Sequence, residues 1–168
     1  MRTLLLALLT CVLSLTSVVA EPRTACTLIR TVDGDTIKVR IGKIEERVRM
    51  IGVDTPEKEP NEKARRDAQR THQDLKTITT QGKASWEHLN SLLRPGQALL
   101  LEFDAGHTDR HGRLLAYVYT GSGTMLNEQM LRDGYASLMT VPPNVRYAKR
   151  LAAAYASARA EKRGLWQH

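Results

Sequence analysis

Cysteine is scarce in this chain, and the shortage excludes one way of stabilising a small protein. The 168 residues include two cysteines, and Cys11 lies in the apolar N-terminal segment. If that segment is removed, the remaining Cys26 has no partner within the chain, so no internal disulfide can form. The histidines and Cys26 also lack the spacing of a zinc site. Packing must therefore stabilise the fold.

Long apolar runs are also missing, except at the N-terminus. Residues 1–20 combine an early Arg2, a continuous apolar run and the ending Val18-x-Ala20. This pattern predicts a cleaved signal peptide, and a retained membrane anchor is the weaker alternative. We therefore expect a secreted or periplasmic protein with no stable membrane association after cleavage. Removing 20 of the 168 residues leaves 148 and lowers the net charge from +7 to +6, because Arg2 is lost.

The length of residues 21–168 favours one domain. A chain of this size can bury about 70% of the surface that its unfolded form exposes, which is enough for one core. The excess of positive charge favours an anionic partner. Nucleic acid, acidic polysaccharide and anionic membrane all meet that requirement, so charge alone does not choose between them.

Strand and helix patterns alternate along the chain. Period-two and apolar segments predict strands at residues 26–32, 35–41, 47–53, 98–103 and 113–120. Helical spacing predicts helices near residues 86–93, 125–134 and 145–163. These elements fit an α+β, mainly β protein, a five-stranded OB-fold barrel with about three helices packed on it. Residues 58–80 are charged, with few apolar side chains and a weak helical pattern, so we expect a solvated excursion there.

Three acids are placed where a barrel rim is expected. Asp35 follows the Asp33-Gly34 turn, Asp54 ends the predicted third strand, and Glu57 follows the stiff Thr55-Pro56 step. Converging carboxylates repel one another unless a cation lies between them, and an all-oxygen set suits Ca²⁺, or less readily Mg²⁺. The alternative is that these acids only shape turns and cap loops.

Two arginines could complement such a site. Arg49 lies on the strand that leads to Asp54, and Arg113 ends the loop before the last strand. Guanidinium groups match phosphate oxygens and stay charged at any relevant pH. The alternative for each is a solvated arginine at a strand edge.

Three motifs carry a resemblance to a known family. VDGDT at 32–36, RMIGVDTPE at 49–57 and TDRHGRLLAYVY at 108–119 resemble the staphylococcal nuclease, or thermonuclease, family. The likeness extends from about Cys26 to Trp166. It implies a barrel with helices and Ca²⁺-dependent hydrolysis of phosphodiester bonds in DNA and RNA, with preference for single-stranded or opened regions. It also implies cleavage of the P–O5′ bond, which leaves 3′-phosphates, by a protein expected to be a monomer.

The resemblance also implies a role for each residue that matches the motifs. Asp35, Asp54 and the carbonyl oxygen of Thr55 would be Ca²⁺ ligands. Glu57 would orient or deprotonate the attacking water. The phosphate clamps and catalytic cations would be Arg49 and Arg113. A degenerate, non-catalytic OB-fold module that binds nucleic acid or protein is the alternative function, but such a module would have no reason to keep this set together.

The chain departs from the best-known family member at two places. A Lys-Tyr pair in the loop before the second arginine is replaced by Arg110 and His111, which are candidate substrate-binding residues. Two tyrosines near the bound nucleotide are replaced by Met139 and Val141. Because stacking on aromatic rings contributes about 1–3 kcal/mol per base, we expect base affinity to differ more than catalysis.

Overall fold

The computed structural model describes residues 22–167, which form a closed barrel with the strand order β1-β2-β3-β6-β5. The strands are β1 Thr24–Asp33, β2 Thr36–Ile41, β3 Ile44–Met50, β4 Gly52–Asp54, β5 Ala98–Glu102, β6 Leu114–Thr120 and β7 Ser137–Met139. The helices are α1 Glu62–Thr71, α2 Leu75–Leu92, α3 Leu126–Arg132 and α4 Ala148–Ala160, followed by a 3₁₀ turn at Gly164–Trp166. The predicted signal peptide lies outside the described residues.

The barrel confirms the predicted α+β, mainly β class and the five-stranded OB-fold architecture. Strands β1, β2 and β3 form an antiparallel meander, and the parallel pairing of β3 with β6 closes the barrel. Alternate side chains from these strands fill the interior, including Leu28, Ile37 and Val48. Tyr117 and Tyr119 on β6 are buried with them. This packed interior provides a rigid support for the loops at its rim.

The predicted third strand is interrupted, and the prediction of one continuous strand at 47–53 was wrong. β3 ends at Met50, and the chain turns at Gly52, whose φ of 82° favours glycine. The short β4 then pairs with β7 outside the barrel. The buried Asn127 stabilises this break, because its side-chain amide donates to the carbonyl groups of Ile51 and Ala116. The turn redirects Asp54 away from the barrel wall.

Residues 58–80 are mostly exposed, as a solvated excursion should be, and they are more helical than their weak sequence pattern indicated. The segment contains all of α1 and the start of α2, which gives four α-helices in the described residues instead of about three. The Asn61 side chain caps α1 by accepting a hydrogen bond from the amide of Ala64. Only Ala64 is buried in α1, and this low apolar content explains why periodicity gave only a weak helix signal.

The second helix holds the chain just beyond β4. Gly82 of α2 lies against the Glu57 backbone, and a Cβ atom at position 82 would stand 2.3 Å from the Glu57 carbonyl carbon and oxygen. Only glycine permits this approach without displacing the loop. Within residues 22–167, no helix has both the length and the apolar character needed to cross a membrane.

Candidate active site

The predicted site residues line one cleft of about 1360 Å³ at the barrel rim. Its walls are the β1–β2 turn, β3, β4, α1 and the loop that precedes β6. The predicted residues among its lining are Asp35, Arg49, Asp54, Glu57, Arg110, His111 and Arg113. Thr55 is buried beneath the cleft. Three motifs that are far apart in sequence are thus brought together.

Asp35 is fixed by hydrogen bonds from both sides of the rim. Its Oδ2 atom accepts hydrogen bonds from the amide and the hydroxyl of Thr55, both at 3.0 Å, and its Oδ1 accepts from the Thr36 hydroxyl at 2.9 Å. The backbone carbonyl of Asp35 also accepts from the Met50 amide. The carboxylate therefore has a defined direction before any ligand binds.

Arg49 joins the two aspartates that are predicted to bind metal. Its Nη2 atom lies 3.2 Å from Asp35 Oδ2 and 3.1 Å from Asp54 Oδ1. Its Nη1 atom donates to the Val53 carbonyl at 2.6 Å, and 9% of its side chain is exposed. The guanidinium therefore serves as a counter-ion to both carboxylates while it ties β3 to β4.

Glu57 is held by the first turn of α1. Its Oε2 accepts a hydrogen bond from the Asn61 side-chain amide at 2.7 Å, and its Oε1 lies 3.4 Å from the ammonium of Lys63. The sequence prediction included neither Asn61 nor Lys63. Asn61 had a signal in the sequence, because it is a favourable N-cap before the run Glu62–Thr71, whereas Lys63 had none.

Arg113 lies in the loop before β6 and is paired with Asp109. Both its Nε and Nη2 atoms lie 2.7 Å from Asp109 Oδ2. The other oxygen of Asp109 accepts hydrogen bonds from the amides of His111 and Arg113, which closes the loop. Arg110 and His111 are exposed and contact each other through Nε and Nε2 at 3.1 Å. This loop presents three basic side chains to the cleft.

The two aspartates that are predicted to bind metal have different environments. Burial alone would raise the pKa of Asp35, but Arg49 and the hydrogen bonds from Thr55 and Thr36 outweigh it and hold that pKa below its usual value. For Asp54, burial is the larger effect and raises the pKa despite Lys63 and Arg49. Asp35 is therefore the more firmly ionised of the two.

The oxygen atoms around Arg49 are of the type that hard cations prefer. Within residues 22–167, no three Asp, Glu, His or Cys side chains are grouped to hold an ion. The predicted set has only two carboxylates, Asp35 and Asp54, which converge on the same Arg49 nitrogen, together with the Thr55 carbonyl. Such a set requires water as further ligands, and Ca²⁺ accepts a mixture of carboxylate, carbonyl and water oxygens.

The residues that replace the family's two tyrosines lie at the far side of the cleft. Met139 and Val141 are both exposed and line it near the Pro142-Pro143 step. They offer apolar surface but no aromatic face for a base. The replacement of two tyrosines by Met139 and Val141 therefore falls in the predicted substrate-binding region.

Comparisons with known proteins show the family of the chain. The chain matches the family described as staphylococcal nuclease homologue over residues 47–168. It is 34% identical to a thermonuclease of Staphylococcus hyicus over 142 residues, which are 84% of this chain and 75% of that protein. It is 33% identical to a thermonuclease of Staphylococcus intermedius, with coverage of 82% and 73%. Endonuclease YncB of Bacillus subtilis is 35% identical, and here the match spans 83% of the chain but 60% of the relative. The chain belongs to the staphylococcal nuclease family.

Proposed function

We propose that this protein is a secreted or periplasmic, calcium-dependent nuclease that hydrolyses phosphodiester bonds of DNA and RNA. The observation that carries the proposal is the meeting of two aspartates, one glutamate and two arginines, from three separate motifs, in one open cleft. The relatives named thermonuclease and endonuclease support nucleic acid as the substrate class. We propose that the protein acts as a monomer on single-stranded or transiently opened regions.

The chemistry requires neutralisation of an anionic phosphate. Asp35, Asp54 and the Thr55 carbonyl would hold Ca²⁺, which when bound supplies positive charge to a phosphate oxygen. Arg49 and Arg113 would donate hydrogen bonds to the other phosphate oxygens. These bonds strengthen as negative charge accumulates in the transition state, so they lower the barrier rather than only tightening binding.

Glu57 would act on the attacking water. Its carboxylate accepts a proton from the water as the water oxygen forms a bond to phosphorus. The bond from phosphorus to the 5′ oxygen then breaks, and the leaving oxygen gains a proton from solvent or a nearby donor. The products are a 3′-phosphate and a 5′-hydroxyl, which is the polarity that the family resemblance implies.

The direct test is the release of acid-soluble nucleotides from heat-denatured DNA and from RNA. We expect release with Ca²⁺ and none with excess chelator, and end-labelling should detect 3′-phosphates. The absence of release from both substrates at any Ca²⁺ concentration would contradict the proposal. Binding of DNA without release would instead favour the non-catalytic module.

Aromatic side chains at positions 139 and 141, where the chain differs from the best-known family member, should improve substrate binding. In the double variant Met139→Tyr, Val141→Tyr, we expect the KM for single-stranded DNA to fall about tenfold, because one stacked base contributes about 1–3 kcal/mol. The control is Ile44→Tyr, which adds the same ring at an exposed position outside the cleft. Equal KM values for the double variant and the control would show that bases do not pass over this region.

A further inference from the structure

Lys63 extends from α1 to the oxygens that are predicted to hold the metal. Its ammonium donates to the Thr55 carbonyl at 2.7 Å and lies 3.4 Å from Asp54 Oδ1. The same nitrogen lies 3.4 Å from Glu57 Oε1. One ammonium group therefore contacts two of the three predicted ligands and the predicted general base.

The helix fixes this position of the ammonium. Asp67, one turn further along α1, lies 3.4 Å from the Lys63 nitrogen and is itself paired with Arg70 at 2.8 Å. The Asn61 cap sets the start of the helix two residues before Lys63. The lysine side chain is thus held from its own helix on one side and from the 54–57 turn on the other. A solvated lysine would have neither support.

An ammonium and a divalent cation would compete for these oxygens. Ca²⁺ binds ligand oxygens at about 2.3–2.6 Å, so an ion bound by Asp54 and Thr55 would share these oxygens with the Lys63 ammonium and lie within a few ångströms of it. Like charges at such a distance repel strongly in a partly buried site. Binding of the ion therefore weakens the contacts of the ammonium with these oxygens.

We propose that Lys63 is a second counter-ion of the metal site, beside Arg49, and that it lowers the affinity of the site for Ca²⁺. This inference rests on the metal site described under the proposed function. It assigns to α1, which lies outside the three motifs, a role in weakening metal binding. Because α1 buries only Ala64, its contacts with the 54–57 turn are mainly the polar ones of Lys63 and Asn61. Binding of Ca²⁺ should therefore loosen α1.

The experiment is a calorimetric titration of chelator-treated protein with CaCl₂. We expect Lys63→Met to bind Ca²⁺ about tenfold more tightly than the wild type, because the competing charge is removed. Lys63→Arg should bind no more tightly than the wild type. The matched control is Lys83→Met, which makes the same charge change at an exposed position of α2 outside the cleft, and its Kd should stay within about twofold of wild type.

An unchanged or weaker affinity in Lys63→Met would overturn the inference, since it would mean that Lys63 supports the ligands. If the wild type shows Ca²⁺-dependent nuclease activity in that case, the proposed function survives. Absence of Ca²⁺ binding in every variant, together with absence of activity, would reject both the inference and the proposed function.

A second measurement needs no variant: in the wild type, saturating Ca²⁺ should speed amide hydrogen exchange in residues 62–71. Unchanged or slower exchange there would also overturn the inference.

Discussion

Replacing Glu57 with Gln is expected to lower kcat by a factor of about 10²–10⁴, the usual contribution of a positioned general base. The amide has nearly the same shape as the carboxylate but cannot accept the proton of the attacking water. The KM for single-stranded DNA and the Kd for Ca²⁺ should change little, because Glu57 is predicted to contact the water and not the metal or the phosphate. Steady-state kinetics and calcium titration test these expectations separately.

A matched variant close in sequence controls for charge. Glu59 lies two residues further along, is exposed and does not line the cleft. Glu59→Gln removes the same charge, so it should retain nearly full activity if the effect at position 57 is chemical. Loss of activity in both variants would point to the net charge of this segment. Retention of activity in Glu57→Gln would show that another group accepts the proton.

The barrel could be predicted from the sequence because its signals are local. Alternating apolar residues mark each strand, and the Asp33-Gly34 step marks the first hairpin. The break at Gly52 could not be predicted in this way. It depends on the packing of Leu151, from the other end of the chain, against that glycine, where a Cβ atom would stand 2.3 Å from Leu151 Cδ1. Sequence periodicity carries no information about such a distant contact.

The candidate site could likewise be predicted only in part from the sequence. Asp35, Asp54, Glu57 and the two arginines were identified because they stand in motifs with a fixed spacing. The contribution of α1 was missed because that helix is attached by charged groups, chiefly Lys63, and not by an apolar face. A run of charges in a sequence is usually a solvated surface. Here part of that run lies over the carboxylates, which only the three-dimensional arrangement reveals.

Replacing Arg49 with Met is expected to lower the free energy of unfolding by about 3 kcal/mol when Ca²⁺ is chelated, because it leaves a buried carboxylate without its counter-ion. Asp35 has 8% of its side chain exposed and depends on Arg49 for its closest guanidinium contact. The variant also loses the hydrogen bond to the Val53 carbonyl, which ties β3 to β4. Urea unfolding followed by circular dichroism measures the change. Arg47→Met, at an exposed position two residues earlier on β3, is the control and should change stability by no more than about 0.5 kcal/mol.

The same variant tests whether Arg49 and the metal share the two aspartates. A cation bound between Asp35 and Asp54 would replace part of the charge that Arg49 provides, so saturating Ca²⁺ should stabilise the variant more than the wild type. The stability difference between the two proteins should therefore shrink when Ca²⁺ is added. An equal difference with and without Ca²⁺ would show that ion and guanidinium act at separate places. A shrinking difference would mean that the ion and Arg49 compete for the same carboxylates, so that metal binding weakens these ion pairs and favours contact between the guanidinium and a substrate phosphate.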